Sequence, residues 1–164
     1  MAKFDSLWKN HPTVESLIDD FPCKKNGSKA FENQCAIRMG VAFGKSGINM
    51  DSFKGAKCWY GHNPSHILRA EELANWLKSP FSPYKQRIEF EGVNGFDSIF
   101  GKKGIVFSRT TMDQETKGIT LIYGTVAGLL DSVPGSISLF LAEGDTIRML
   151  RYGFGHADKY EWYA

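Results

Sequence analysis

The hydrophobic residues of the chain follow one period up to about residue 85 and another after it. In the first part they recur every three or four positions, which predicts amphipathic helices over 12–21, about 33–45 and about 64–78. Asn63 fits the N-cap of the third helix, and Gly47 is a stop signal for the second. The first half of the chain is therefore predicted to be helical.

Beyond residue 85 apolar and polar residues alternate, as they do in strands with one buried face. Five runs show this alternation, at 87–92, 104–109, 118–124, 136–142 and 145–153. Short turns with Gly, Asp or Pro separate them, which favours antiparallel pairing. The aromatic tail KYEWYA is expected to pack on this sheet. Helices followed by strands predict the α+β class, with N-terminal helices packed on an antiparallel sheet.

Length and composition narrow the class of protein further. The chain has 164 residues, of which 42% are hydrophobic and 13% aromatic, so a single domain over residues 1–164 is expected. Lys and Arg number 20 against 18 for Asp and Glu, a surplus of 20 − 18 = 2 that is too small to indicate nucleic-acid binding. No stretch reaches the roughly 20 apolar residues of a membrane span.

The first residues, MAKFDSLWKNHPTV, lack the apolar core and the cleavage site of a secretory signal. We therefore expect synthesis in the cytoplasm. Any export would follow a route that reads no N-terminal signal.

The chain has three cysteines, Cys23, Cys35 and Cys58, so at least one thiol of a monomer is unpaired. Two arrangements fit this count. All three are reduced thiols, or Cys23 and Cys58 form a disulfide in an oxidising compartment and leave Cys35 free.

Cys35 stands near the start of the second predicted helix, two residues after Asn33, which can cap it. Unpaired N–H groups and the helix dipole lower the pKa of a thiol at this position. The same N–H groups, at Cys35 and Ala36, can hold a developing oxyanion. Cys35 is therefore a candidate nucleophile, and the alternative is a buried, inert thiol.

Four segments, ENQCAIRM (32–39), HILRAEELANWL (66–77), FGKKGIVF (100–107) and GITLIYG (118–124), resemble the type VI secretion amidase effectors of the fourth family. The resemblance covers roughly residues 30–142. It implies a papain-like fold, delivery into a target bacterium and Cys35 as nucleophile. It also implies cleavage of a peptide-stem amide of peptidoglycan, between D-glutamate and diaminopimelate, and a cognate immunity protein as partner.

The general base of that family is a histidine that opens the strand reading KGITLIYG here, and its position is occupied by Gly118. The family's acidic partner has no clean match, and Asp131 is nearest. We rank the substitutes for the base as His156, His66 and His62. His156 follows the last predicted strand, which is expected to lie near the strand of Gly118. His66 opens the third helix, where the dipole keeps its ring neutral.

The fourth histidine, His11, is expected at the surface. Cys58, His62 and His66 recur at intervals of four, a spacing that is found in metal sites. The helix start at Pro64 interrupts a common face, and the sequence offers no evident fourth ligand. We therefore predict no metal and no cofactor.

The missing histidine leaves two alternatives to a wall amidase. One is a papain-like protease or deamidase that acts on a cytosolic protein of the recipient cell. The other is a catalytically silent relative that binds a wall fragment or a protein.

Overall fold

The computed structural model of the protein describes residues 4–12, 21–31, 34–62, 66–91, 98, 102–109, 117–123, 137–143, 146–152 and 159–164. For residues 108, 109, 117–123, 137–143, 146–152, 159, 160 and 162 it describes the backbone only. The chain divides into two compact units, residues 1–83 and 84–164. The helix predicted over 12–21 stays a prediction, because residues 13–20 lie outside the described part.

The described residues of the first unit form three helices, which we name α1 (Phe4–Lys9), α2 (Cys35–Lys45) and α3 (Ala70–Lys78). α2 contacts both of the others. Phe43 of α2 meets Trp76 of α3 with ring centroids 6.1 Å apart. The indole N–H of Trp76 in turn donates to the Ser52 hydroxyl at 2.8 Å, so this large buried ring satisfies its polar atom.

A two-stranded hairpin precedes α2, with strands β1 (Lys24–Lys25) and β2 (Ser28–Lys29). Asn26 and Gly27 form its turn, with φ of 52° and 79°. Two successive positive φ values are the requirement of a type I′ turn, and Asn-Gly is the pair that meets it best. The hairpin was not predicted from the hydrophobic pattern.

α2 begins at Cys35, and its N-cap is Gln34. The prediction that the helix begins near residue 33, with Cys35 two or three residues inside it, is therefore wrong: Cys35 is its first residue. The predicted stop is confirmed. Gly47, with φ of 74°, follows the last turn, and its N–H donates to the Gly44 carbonyl at 3.1 Å.

α3 begins at Ala70, with Arg69 as its N-cap in an extended conformation. The predicted start near Pro64 is wrong by about one and a half turns, because the described residues ahead of Ala70 bond across to another segment instead. Ile67 forms an antiparallel bridge with Lys57, and the Leu68 N–H donates to the Ala56 carbonyl at 3.1 Å. His66 is therefore outside the helix.

The second unit contains an antiparallel sheet of four strands in the order β3-β8-β4-β5. The strands are β3 (Arg87–Glu91), β4 (Lys103–Arg109), β5 (Lys117–Tyr123) and β8 (Lys159–Tyr163). β6 (Ile137–Glu143) and β7 (Thr146–Tyr152) pair with each other. All five strands predicted from alternation are present.

The C-terminal segment differs from its prediction. Residues 159–163 do not pack on the sheet but form β8, which lies inside it between β3 and β4. The buried side chains of this unit include Phe90, Ile105, Val106, Phe107 and Tyr163. Neighbouring positions of β4 are buried alike, so the strand is covered on both faces.

Among the helices that the structure describes, none has the length and apolar composition needed to cross a membrane.

His11 is buried, with 1% of its surface exposed, which corrects its predicted surface position. Burial lowers its pKa from 6.5 to about 3, and the nearby Arg38 charge lowers it further in the same direction. A depressed pKa means that the folded protein keeps this ring neutral while the unfolded chain takes up a proton below about pH 6.5. The stability that depends on the neutral ring is therefore present above pH 6.5 and is lost as pH falls towards 3.

We expect the free energy of unfolding of the wild type to fall more steeply between pH 6 and pH 4 than that of His11→Gln. The difference in slope should approach about 1.4 kcal/mol per pH unit, the value for one proton. Urea unfolding at a series of pH values measures both slopes. Parallel curves for the two proteins would show that His11 titrates normally.

Candidate active site and a four-donor cluster

Cys35 lies at the N-terminus of α2 and is buried, with 3% of its surface exposed. The first backbone hydrogen bond of the helix runs from the Arg38 N–H to the Gln34 carbonyl at 2.9 Å. The N–H groups of Cys35, Ala36 and Ile37 precede that bond, so they have no acceptor within the helix. Cys35 is therefore the residue at the positive end of the helix dipole.

Gln34 caps α2 through its backbone only, because its side chain is engaged elsewhere. Its Oε1 accepts the Cys23 N–H at 2.9 Å, and its Nε2 donates to the Cys23 carbonyl at 2.8 Å and to the Phe31 carbonyl at 3.1 Å. The amide thus binds both backbone polar groups of Cys23. We call these three hydrogen bonds the Gln34 clamp. It holds Cys23, which precedes the hairpin, against Gln34, which precedes Cys35.

The second group of reactive side chains, which we name the four-donor cluster, consists of Cys23, Cys58, His62 and His66. Cys35 is not a member of it. One sulfur or ring nitrogen from each residue lies within 4.8 Å of all the others. Both cysteines are buried and free, and both histidines are half-buried. Two thiols and two imidazoles at this separation form a donor set that can hold a metal.

The pKa values of the two thiols are shifted in opposite directions. Burial raises the pKa of Cys23 to about 11, and the neighbouring Cys58 raises it as well. Burial also raises the pKa of Cys58, but the hydrogen bond between its sulfur and His62, together with backbone hydrogen bonds at His66 and Tyr60, outweighs it, so the net shift is downward. Cys58 is therefore the first of this pair to become a thiolate.

Cys58 and His62 also have the separation of a thiol–imidazole catalytic pair, since Sγ lies 3.2 Å from Nδ1. The same Nδ1 lies 3.6 Å from Sγ of Cys23, however. A catalytic base serves one nucleophile, whereas a metal draws several donors towards one point. Because two sulfurs lie close to one ring nitrogen, the arrangement favours metal binding over nucleophilic attack by Cys58.

Comparison with known proteins places the chain in a family. The family described as "Type VI secretion system (T6SS), amidase effector protein 4", or Tae4, matches residues 31–143. The chain belongs to the Tae4 family. No curated protein matches it.

Solved Tae4 structures share the fold. The effector–immunity system Tae4/Tai4 from Salmonella typhimurium matches with a TM-score of 0.56 and 17% identity, over 99% of this chain and 96% of that one. Another Tae4–Tai4 complex from the same organism gives 0.58 and 16%, with the same coverage. Salmonella Tae4 in complex with Tai4 from Enterobacter cloacae gives 0.56 and 17%, over 99% and 98%. The predicted α+β, papain-like class is confirmed by this likeness.

Two of the three candidate bases, His62 and His66, lie in the four-donor cluster. His62 and His66 have their ring centroids 4.5 Å apart. The pKa of His66 is lowered, as predicted, but by burial and by the neighbouring His62, since the residue does not open a helix. The predicted role of a helix dipole at His66 is therefore wrong.

Gly118, which the sequence resemblance matches to the family's histidine, is the second residue of β5. The last predicted strand, which is β7, was expected to lie near β5. Among the described strand pairs β7 pairs with β6 and β5 pairs with β4, so this expectation is not confirmed. His156 and Asp131 lie outside the described residues.

Two roles in this region were missed from the sequence. Gln34 directly precedes the candidate nucleophile Cys35, which is a weak signal that the hydrophobic pattern does not register. Cys23 was considered only as a disulfide partner of Cys58, and only the fold brings it to His62. The reasons given against a metal site, a missing fourth donor and a helix start at Pro64, are both corrected by the structure.

We expect Gln34→Ala to lower the free energy of unfolding by about 1–3 kcal/mol, because it leaves the buried Cys23 N–H without an acceptor. The exposed Gln86 provides a matched control, and Gln86→Ala should stay within about 0.5 kcal/mol of the wild type. Urea unfolding measures both variants. Equal stability of the two would show that the clamp contributes nothing.

Proposed function

We propose that the protein is an antibacterial type VI secretion effector that cleaves a peptide-stem amide of peptidoglycan, with Cys35 as nucleophile. The observation that carries this proposal is the position of Cys35. It is the first residue of α2, and it lies within the Tae4 family match over residues 31–143. Helix N-termini lower thiol pKa values and supply N–H donors to an oxyanion.

The chemistry follows from these groups. An imidazole takes the proton of Cys35, and the sulfur forms a bond to the amide carbon. The N–H groups of the first helical turn, at Cys35 and Ala36, hold the oxyanion. The imidazolium then gives its proton to the leaving amine as the carbon–nitrogen bond breaks. Water hydrolyses the thioester and restores the thiol.

We assign the base to His156, and the register of the sheet supports this choice. Ser108 of β4 pairs with Gly118 on one side and with Tyr160 of β8 on the other. Two strand spacings of about 4.8 Å therefore separate Tyr160 from the position of the Tae4 histidine. His156 precedes Tyr160 by four residues, and four residues span at most about 14 Å. That length of chain is compatible with the proposed replacement of a histidine at position 118 by the histidine at position 156.

Further properties come from the family. Tae4 structures from Salmonella typhimurium contain the immunity protein Tai4, and we propose that a cognate immunity protein binds this chain too. We also propose that residues 1–164 act as one amidase domain that the type VI system delivers into the target cell.

A second candidate is a catalytically silent, binding relative of Tae4. Gly118 in place of the family histidine and the burial of Cys35 favour it. So does Trp59, whose side chain is 69% exposed and stacks edge-on against Phe31 with centroids 5.6 Å apart. An exposed ring of this kind, supported by the half-buried Phe31, suits a partner or a wall fragment.

We expect Cys35→Ala to abolish release of new amino groups from purified peptidoglycan, because no thiolate remains to attack. Ala is a good helix former, so the free energy of unfolding should change by less than about 1 kcal/mol. Analysis of muropeptides by mass spectrometry, together with thermal melting, measures both effects.

The control is expression in a bacterium with and without a periplasmic signal. Death only with periplasmic export supports the wall as target, whereas death without export indicates a cytosolic protein. A folded Cys35→Ala protein that kills as well as the wild type would contradict every cysteine mechanism.

We expect His156→Ala to slow hydrolysis by about 10²–10⁴-fold, the usual contribution of a positioned base. His11→Gln replaces a histidine outside the proposed chemistry and should stay within about tenfold at pH 7. Rates on isolated muropeptides, with unfolding curves for both variants, measure the comparison. Full activity of a folded His156→Ala protein would transfer the role of base to another group.

A further inference from the structure

Four soft or borderline donors converge in the first unit, and the hydrolysis proposed above, with Cys35 and His156, does not use them. We propose that Cys23, Cys58, His62 and His66 bind one Zn²⁺ in a tetrahedral structural site. Two thiolates and two imidazoles are a donor set typical of structural zinc, whereas hard cations such as Mg²⁺ and Ca²⁺ select oxygen ligands.

The separations of the donor atoms fit such a site. Zinc binds sulfur at about 2.3 Å and imidazole nitrogen at about 2.0 Å, so ligand atoms of one tetrahedral site lie about 3.3–3.8 Å apart. Nδ1 of His62 lies 3.2 Å from Sγ of Cys58 and 3.6 Å from Sγ of Cys23. All four donors lie within 4.8 Å of one another, so closing around a metal takes shifts of about 1 Å or less.

His62 is oriented as zinc-binding histidines are. Its Nε2 lies 3.1 Å from the Lys24 carbonyl, a separation at which the ring donates its Nε2 proton. The neutral ring then carries its lone pair on Nδ1, the atom that faces both sulfurs. A second-shell carbonyl that fixes the tautomer in this way is the usual companion of a metal-bound imidazole.

His66 supplies an independent sign. Its Nδ1 is buried and has no hydrogen-bond partner among the described residues. A buried ring nitrogen without a partner costs free energy, and a native protein usually resolves that cost with a bound water or ion. The atom belongs to one of the four clustered side chains, and a metal ion bound through Nδ1 would give it a partner.

The backbone holds the donors in place before any metal binds. The Cys58 N–H donates to the His66 carbonyl at 2.8 Å, beside the bridge between Lys57 and Ile67. Cys23 accepts the Ala30 N–H at 2.9 Å across the base of the hairpin, and Gln34 binds it from the other side. Glu72 of α3 accepts the Ala56 N–H at 2.6 Å, two residues before Cys58.

This arrangement gives the metal a role in positioning α2. Cys23 and Cys58 pack with Ile37, which lies two residues after Cys35. Gln34 joins Cys23 to the residue preceding Cys35. Zinc at the cluster would therefore tie the hairpin and the Cys58 segment to the first turn of α2.

The test uses the full chain, reduced and stripped of metal with a chelator, and Co²⁺ as the spectroscopic probe. We expect uptake of one equivalent, with the visible bands of tetrahedral Co²⁺ and the near-ultraviolet charge-transfer band of thiolate ligands. One equivalent of Zn²⁺ should displace the Co²⁺ and raise the melting temperature.

Cys23→Ser and His66→Gln each remove one donor and should weaken Co²⁺ binding by more than about 100-fold, since even second-shell changes cost about 10–100-fold. Cys35→Ala is the matched control, because it removes a buried cysteine outside the cluster and should bind as the wild type does. Circular dichroism of each variant separates lost binding from lost folding.

Three results would overturn the proposal. The first is a reduced wild-type protein that takes up no Co²⁺ with thiolate bands. The second is binding that survives in folded Cys23→Ser and His66→Gln. The third is a Cys23–Cys58 disulfide, detected by mass spectrometry, that forms in the presence of stoichiometric Zn²⁺ under reducing buffer.

Discussion

The side-chain amide of Gln34 is the interaction on which the arrangement of the first unit depends. It accepts one hydrogen bond and donates two, all of them to backbone groups of Cys23 and Phe31. Charge plays no part in this clamp, so salt and moderate changes of pH leave it in place. Its effect is geometric: the hairpin that carries Cys23 and the helix that begins with Cys35 cannot move independently.

The clamp joins the two groups of reactive residues, Cys35 and the four-donor cluster, which share no member. Cys35 stands at a helix N-terminus, where the local field favours a negative charge on sulfur. Cys23 and Cys58 instead share Nδ1 of one imidazole at 3.6 Å and 3.2 Å. The first environment suits attack on a substrate, and the second suits a bound cation.

Much of the fold was predictable, because alternation and helical periodicity are local properties of the sequence. The five strands from β3 to β7 and the stop at Gly47 follow from them. The start of α3 did not, since residues 66–68 bond to 56–58 and this pairing overrides a good capping sequence. The position of β8 was equally hidden, because alternation marks a strand but does not say which strands it joins.

The site divides in the same way. The sequence predicts Cys35 as nucleophile from its helix and from the resemblance to Tae4, and this role stays a prediction. The spacing of four between Cys58 and His62 already pointed to their contact. Cys23 was not predictable, since its approach to His62 depends on the hairpin turn and on Gln34. The burial of His11 likewise comes from tertiary packing near Arg38, which leaves no trace in local polarity.

The place of β8 has a consequence for biosynthesis. β8 is the last of the described strands to leave the ribosome, yet it supplies the hydrogen-bonding partner of both β3 and β4. A nascent chain that ends before residue 159 leaves those two strands without their shared neighbour, so the four-stranded sheet forms only after β8 has been made. Pairings of such long sequence separation also form slowly. During translation β3 and β4 therefore stay without their common neighbour until β8 has also left the ribosome.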